Sequence, residues 1–210
     1  MDLFCGACNI IQGVDYKTRI ANDNNPYLIA MFKEAQNGRH FPHDISEEQY
    51  KYIRYHKDED MGLTGFVGVG CSFAGKWWGG YAIEGKRGYC NYANTFASSL
   101  EKDLRFMDDV IFTSNDYDGA DIPLNSVVYC DIPYKSKTNG YYKNKFDHDK
   151  FYRWVECNHD KYRIYISEYD ENNPGYKVVY RKESHQEIRG NNGRKPTTES
   201  ILHPYFKGDT

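Results

Sequence analysis

Asn125-Ser126-Val127-Val128-Tyr129-Cys130-Asp131-Ile132-Pro133-Tyr134 is the stretch whose reading decides this chain. Val127, Val128 and Tyr129 form a β-prone run that follows turn residues and is too short for a helix. It reads as a buried central strand. At its C-terminal end stand an acid, an apolar residue, a proline and a tyrosine. Open α/β sheets bind ligands outside the carboxyl ends of their strands, so chemistry is expected here. Asp131 offers a carboxylate acceptor and the Ile132 carbonyl a second one. Pro133 fixes the backbone, and Tyr134 offers a ring to stack on a planar base. The set suits holding an exocyclic amino group. The same four residues also describe a plain strand end and turn, so the rest of the chain decides.

Upstream, Val110-Ile111-Phe112-Thr113 reads as a strand ending at Ser114-Asn115-Asp116-Tyr117, again an acid beside an aromatic. Further back, a short strand ends at Ala21 or Asn22, and a helix starts near Pro26, a residue suited to a first turn. Asp23 therefore follows a strand, about one βα unit after the turn at Gly6. Nucleoside-binding folds place an acid there to take the ribose hydroxyls. An Asx turn or helix cap is the competing reading, and Asn24 or Asn25 also qualifies as the cap. Asp2 to Ile11 reads as the end of a first strand turning into a helix. Gly6 and Ala7 would let backbone N–H groups approach a ligand there.

Downstream, residues 135–145 read as a lysine-bearing loop at the site mouth. Asp147 to Trp154 starts a helix with Phe151 and Trp154 on one face. Arg163–Tyr169 and Lys177–Arg181 alternate as strands, and residues 183–210 read as a polar tail. Residues 38–98 break the α/β rhythm. Ser46 caps a helix whose first turn is acidic, and a further helix runs from about Asn91 to Leu104. Gly62 to Gly80 is too glycine-rich for a regular helix. Lys76, Lys86 and Arg87 interleave there with Trp77, Trp78, Tyr81 and Tyr89, a pattern for phosphate contacts and base stacking. Structural loops also pack glycines around aromatics, so this segment alone does not decide.

At 210 residues and 24.6 kDa the chain has the size of one domain with room for an inserted lobe. A net charge of -3 excludes a bulk polycation but leaves room for a local basic face. No apolar run approaches the roughly 20 residues of a membrane span, and no secretory signal is visible. A cytoplasmic protein is expected. Six cysteines without a signal do not make a disulfide framework. Cys5-x-x-Cys8 has no second pair at zinc spacing, so reduced thiols and no metal are expected.

Three acids at three strand ends, Asp23, Asp116 and Asp131, give the motif set its order. The chain resembles the Dam-like family of DNA adenine-N6 methyltransferases, its phage and prophage members in particular. Phe4-x-Gly6 resembles the cofactor-binding glycine motif and Asn22-Asp23-x-Asn25 the ribose-binding segment. Asn115-Asp116-Tyr117 resembles the acid-aromatic pair beside the cofactor's adenine. Asp131-Ile132-Pro133-Tyr134 resembles the catalytic Asp-Pro-Pro-Tyr.

The resemblance implies a Rossmann-like α/β methyltransferase fold with an inserted target-recognition region. Residues 1–37 would be the cofactor-binding part, 38–98 the insertion and 99–182 the catalytic part. It implies S-adenosyl-L-methionine as cofactor, held by Phe4, Gly6, Asn22, Asp23, Asp116 and Tyr117. Asp131, Ile132, Pro133 and Tyr134 would be catalytic. Double-stranded DNA would be the partner, contacted by Lys76, Trp77, Arg87 and Lys137, with no membrane or metal and a monomeric enzyme. Two departures stand out: the family's leading glycine-lysine segment is not in this sequence, and Ile132 replaces the first proline. A truncated relative that binds weakly without turnover is the alternative reading, followed by a methyltransferase of RNA or a protein amide.

Overall fold

The computed structural model describes residues 1–82, 91–134, 146–169, 175–187 and 194–205, leaving aside the side chains of 184–187 and 194–197. Two compact units divide the chain, Cys5–Ala120 and Met1–Phe4 with Asp121–Thr210. Both combine helices with parallel strands, a mixed α/β organisation.

In the Cys5–Ala120 unit, β1 (Ile20–Asn22) pairs in parallel with β2 (Ile111–Thr113), Asn22 standing opposite Thr113. Helix α1 (Pro26–Gln36) starts at a proline, and the Asn25 side chain accepts from the Tyr27 and Leu28 N–H groups. Its buried face, Leu28, Ile29, Met31, Phe32 and Ala35, includes Phe32 stacked on Phe112 at 5.3 Å. Helix α2 (Glu47–Tyr55) opens with a full capping box between Ser46 and Gln49. Helices α3 (Met61–Gly70) and α4 (Tyr92–Asp103) complete the unit.

Helix α3 corrects the expectation that Gly62 to Gly80 would not be helical, but only as far as Gly70; residues 71–80 form no α-helix. Each interior glycine costs a helix about 1 kcal/mol relative to alanine. Here the missing side chains admit neighbours. A Cβ on Gly65 would stand 2.1 Å from the Tyr27 carbonyl oxygen, one on Gly68 2.4 Å from the Trp77 ring, and one on Gly70 2.0 Å from the Phe96 ring. Close backbone packing thus replaces side-chain packing. Phe41, Ile45, Tyr50, Phe66, Cys71, Ala93 and Ala97 share one core with the buried face of α1.

A second correction concerns the segment after Gly6, which forms only a three-residue 3-10 turn, Ile11–Gly13. Gly6 (φ 47°) and Cys8 (φ 62°) are both left-handed, which prevents a helix from starting there. Cys8 and Ile11 are instead buried in the core.

In the other unit, β3 (Val127–Asp131) pairs in parallel with β4 (Arg163–Glu168). The sheet order is β3-β4-β6-β5, with β5 (Tyr176–Glu187) and β6 (Arg194–Pro204) antiparallel. Met1–Phe4 runs beside β3, where the Leu3 N–H donates to the Tyr129 carbonyl and the Tyr129 N–H to that of Met1, both 2.9 Å. Helix α5 (His148–Asn158) is capped by Asp147 and buries Phe151 and Val155. Residues 183–187 and 194–204, read from sequence as tail, are strand. The hairpin holds because β6 lies between β4 and β5 and is bonded on both edges, burying Ser200 and Leu202. Among the described residues no helix is long and apolar enough to cross a membrane.

Gly65→Ala is expected to destabilise the chain by about 2–3 kcal/mol through overpacking against a backbone carbonyl. Gly13→Ala, where an added Cβ meets nothing within 4 Å, should stay within about 0.5 kcal/mol. Urea unfolding of both variants checks the contrast.

Candidate active site

Two groups of polar side chains form at strand ends, one in each unit. In Cys5–Ala120 the group is built on the parallel pair β1 and β2. Asn22, buried at the end of β1, donates through Nδ2 to the Asn115 carbonyl at 2.9 Å. Its Oδ1 accepts from Thr113 Oγ1 at 3.0 Å and from the Asn115 N–H at 3.1 Å. The Asn22 amide thus ties the end of β1 to that of β2. This is an organising role that sequence reading, in giving Asn22 to the cofactor, did not foresee.

Asp23 comes next. Its Oδ2 accepts the Gly6 N–H at 3.0 Å and its Oδ1 the Asn25 N–H at 2.9 Å. Burial pushes its carboxyl above the ordinary range, and the two N–H bonds pull the other way. Asn24 Nδ2 reaches Asp116 Oδ1 at 3.3 Å. Gly6, Asn22, Asp23 and Asp116 are therefore brought together. Tyr117, next to Asp116, is buried at the start of a 3-10 turn. Phe4 lies in the other unit, where its ring meets Phe146 and Phe151 edge-on at 5.9 Å.

Trp77 covers the glycine face of α3 and stacks with Tyr27 at 5.9 Å. At 38% exposure it keeps an open edge, and Lys76 beside it is exposed. Trp78 is buried against Tyr50. Arg87 and Lys137 lie outside the described residues.

In the second unit Asp131 ends β3 and stands opposite Ser167 of β4. Ile132 buries its side chain, and the Pro133 carbonyl meets His148 Nε2 at 2.6 Å. The Tyr134 hydroxyl lies 2.9 Å from Asp131 Oδ1, 2.9 Å from Ser167 Oγ and 3.1 Å from Glu199 Oε1. Ser167 Oγ in turn donates to Glu199 Oε1 at 2.9 Å. The Tyr134 and Tyr169 rings meet edge-on at 4.4 Å. Burial pushes the Tyr134 phenol well up, the nearby Asp131 and Glu199 charges add to it, and the Ser167 bond opposes them. Burial likewise pushes Tyr129 up to about 12. Both phenols stay protonated at neutral pH and act as donors.

Sequence reading gave no site role to Ser167 or Glu199. The place of Ser167 opposite Asp131 comes from strand register. Glu199 lay in the presumed tail and carried no local signal. Among the described residues, Cys5, Cys8, Cys71 and Cys130 are buried thiols outside any disulfide, and no group of three or more His, Cys, Asp and Glu is placed to hold a metal ion.

No family model and no curated protein matches the chain. Among solved structures, SMU.472, described as a candidate methyltransferase complexed with SAH, aligns at 11% identity and a TM-score of 0.34. The alignment covers 96% of this chain and 51% of that one, so the chain spans about half its length. Likeness at that level leaves the reading of the site to its own geometry.

Asn22→Ala removes one donor and two accepted bonds from a buried site and should destabilise by about 2–3 kcal/mol. Chemical denaturation checks it. A loss below about 0.5 kcal/mol would mean that the amide does not hold the two strands.

Proposed function

We propose that the chain transfers a methyl group from S-adenosyl-L-methionine to the N6 amino group of adenine in DNA. The observation that carries this reading is the end of β3. There a carboxylate on a parallel strand shares a hydrogen bond with a tyrosine three residues on, whose ring meets a second aromatic. A carboxylate beside aromatic faces is the chemistry that grips the amino group and the plane of a nucleobase.

The residues at the other strand ends fit the cofactor. Asp23, at the end of β1, has a carboxylate suited to two ribose hydroxyls. An added Cβ at the neighbouring Gly6 meets nothing within 4 Å, leaving room beside the turn. When bound, the cofactor supplies an electrophilic methyl group. Asp131 and the Ile132 carbonyl accept the two amino N–H groups and orient the nitrogen lone pair. The Tyr134 ring packs on the base, which leaves the duplex at a cost of a few kcal/mol. Asp131 takes the proton that the nitrogen sheds. Positioning and fixed dipoles carry the rate. Lys76 and the edge of Trp77 are assigned to the DNA.

A second reading, a weak binder without turnover, is favoured by one observation. The Gly6 turn leads into a three-residue 3-10 turn, with no α-helix whose N-terminus would add donors for the cofactor.

A methyl-transfer assay on adenine-containing duplexes, run beside calorimetry with the cofactor, tests the proposal. Asp131→Ala should abolish transfer and leave DNA affinity nearly intact, since that affinity comes from phosphate contacts. Near-normal turnover would remove Asp131 from the chemistry. Asp23→Ala should weaken cofactor binding by more than about tenfold through loss of two hydrogen bonds. Unchanged affinity would remove it from the site.

A further inference from the structure

Glu199 and Ser167 have no part in the proposed transfer, yet both touch the tyrosine that does. The strand register explains how they arrive. Ser167 stands opposite Asp131 on one side and Ile201 on the other, and Glu199 lies two residues before Ile201. Side chains alternate with a period of two, so Asp131, Ser167 and Glu199 face the same way from three adjacent strands. Tyr134 folds back over them, its hydroxyl within hydrogen-bond distance of all three.

One hydroxyl has one proton and serves one acceptor at a time. In the bond to Asp131, Tyr134 draws on the acceptor charge of the carboxylate that the amino group would meet. Glu199 Oε1, at 3.1 Å, is a second carboxylate acceptor reached by rotating the O–H, with no heavy atom moving. It already accepts from Ser167 and has a lone pair for one more donor.

We propose that Glu199, braced by Ser167, is a positioning residue that takes over the Tyr134 hydroxyl when an amino group arrives, releasing Asp131 to accept from the substrate. The inference rests on the reading of Asp131 as the amino-group acceptor. In the unliganded protein the Tyr134 O–H points to Asp131, and with substrate bound it points to Glu199, the proton staying on the phenol oxygen throughout. The tyrosine ring keeps its place in both states.

Two measurements test this separately. In the first, turnover is followed in Glu199→Gln, which keeps the shape and loses the charge. The expected result is a fall in kcat of about tenfold with KM within twofold, since a charge-assisted acceptor becomes a neutral one. In the Tyr134→Phe background, where no hydroxyl needs a second acceptor, the same change should cost less than about twofold. Equal losses in both backgrounds overturn the proposal and leave Glu199 a structural residue.

The second measurement needs no activity. In protein labelled with carbon-13 at tyrosine Cζ, the Tyr134 resonance is identified by its loss in Tyr134→Phe. It is expected to move in both Glu199→Gln and Ser167→Ala while the dispersion of the other tyrosines is kept. An unmoved resonance in both variants overturns the proposal. If the unmutated chain transfers no methyl group to adenine, the reading of the reaction fails, and this measurement still decides whether Glu199 and Ser167 lie against the Tyr134 hydroxyl.

Discussion

A polar strand lying between two others positions the cluster of polar side chains at the end of β3. Strand β6 is bonded on both edges, to β4 over Ile166–Glu168 and to β5 along most of its length. A register that slipped by one residue would turn Glu199 to the opposite face and bring Thr198 or Ser200 into its place. The tyrosine hydroxyl would then lose its contact with Glu199. The position of one carboxylate at the candidate site therefore depends on backbone pairing far along the sequence.

The Cys5–Ala120 unit meets a different constraint. Its two strands have three residues each, too few to organise a strand end by ladder bonds alone. Asn22 compensates, its side-chain amide acting as an added peptide group between the strands. Helices α1 and α3 compensate again by approaching at Gly65 and burying Met31, Phe66 and Val67. Both devices fix where Asp23 and Asp116 stand without touching either carboxylate.

Much of this was legible in the sequence where local chemistry decides. Ser46 and Gln49 announce a capped helix, Pro26 a helix start, and Val127–Tyr129 a strand ending in an acid. The errors have a common cause, which is that tertiary partners outweighed local propensity. Gly65 and Gly68 looked like helix breakers until a carbonyl and an indole ring proved to lie against them. Residues 183–187 and 194–204 looked like tail because strand pairing on both sides of β6 is invisible in one strand's own sequence. Gly6 suggested a helix start, but Cys8 also adopts positive φ, which residue identity does not reveal. The mixed α/β class was within reach, and so was the strand that ends at Asp131. Ser167 and Glu199 were not, because their relevance exists only through register.

Trp77 and Trp78 stand in one unit and Trp154 in the other, and the chain has three tryptophans in all. Their surroundings differ. Trp78 is buried against Tyr50, Trp77 keeps an exposed edge over Gly68, and Trp154 is half-buried on α5 beside Phe151. Each unit thus contains its own natural fluorophore. Replacing Trp154 with phenylalanine leaves tryptophan emission from Cys5–Ala120 alone, and subtracting it from the parent spectrum recovers the other. The melting of one half can in this way be watched apart from the melting of the other, in a chain carrying no added label.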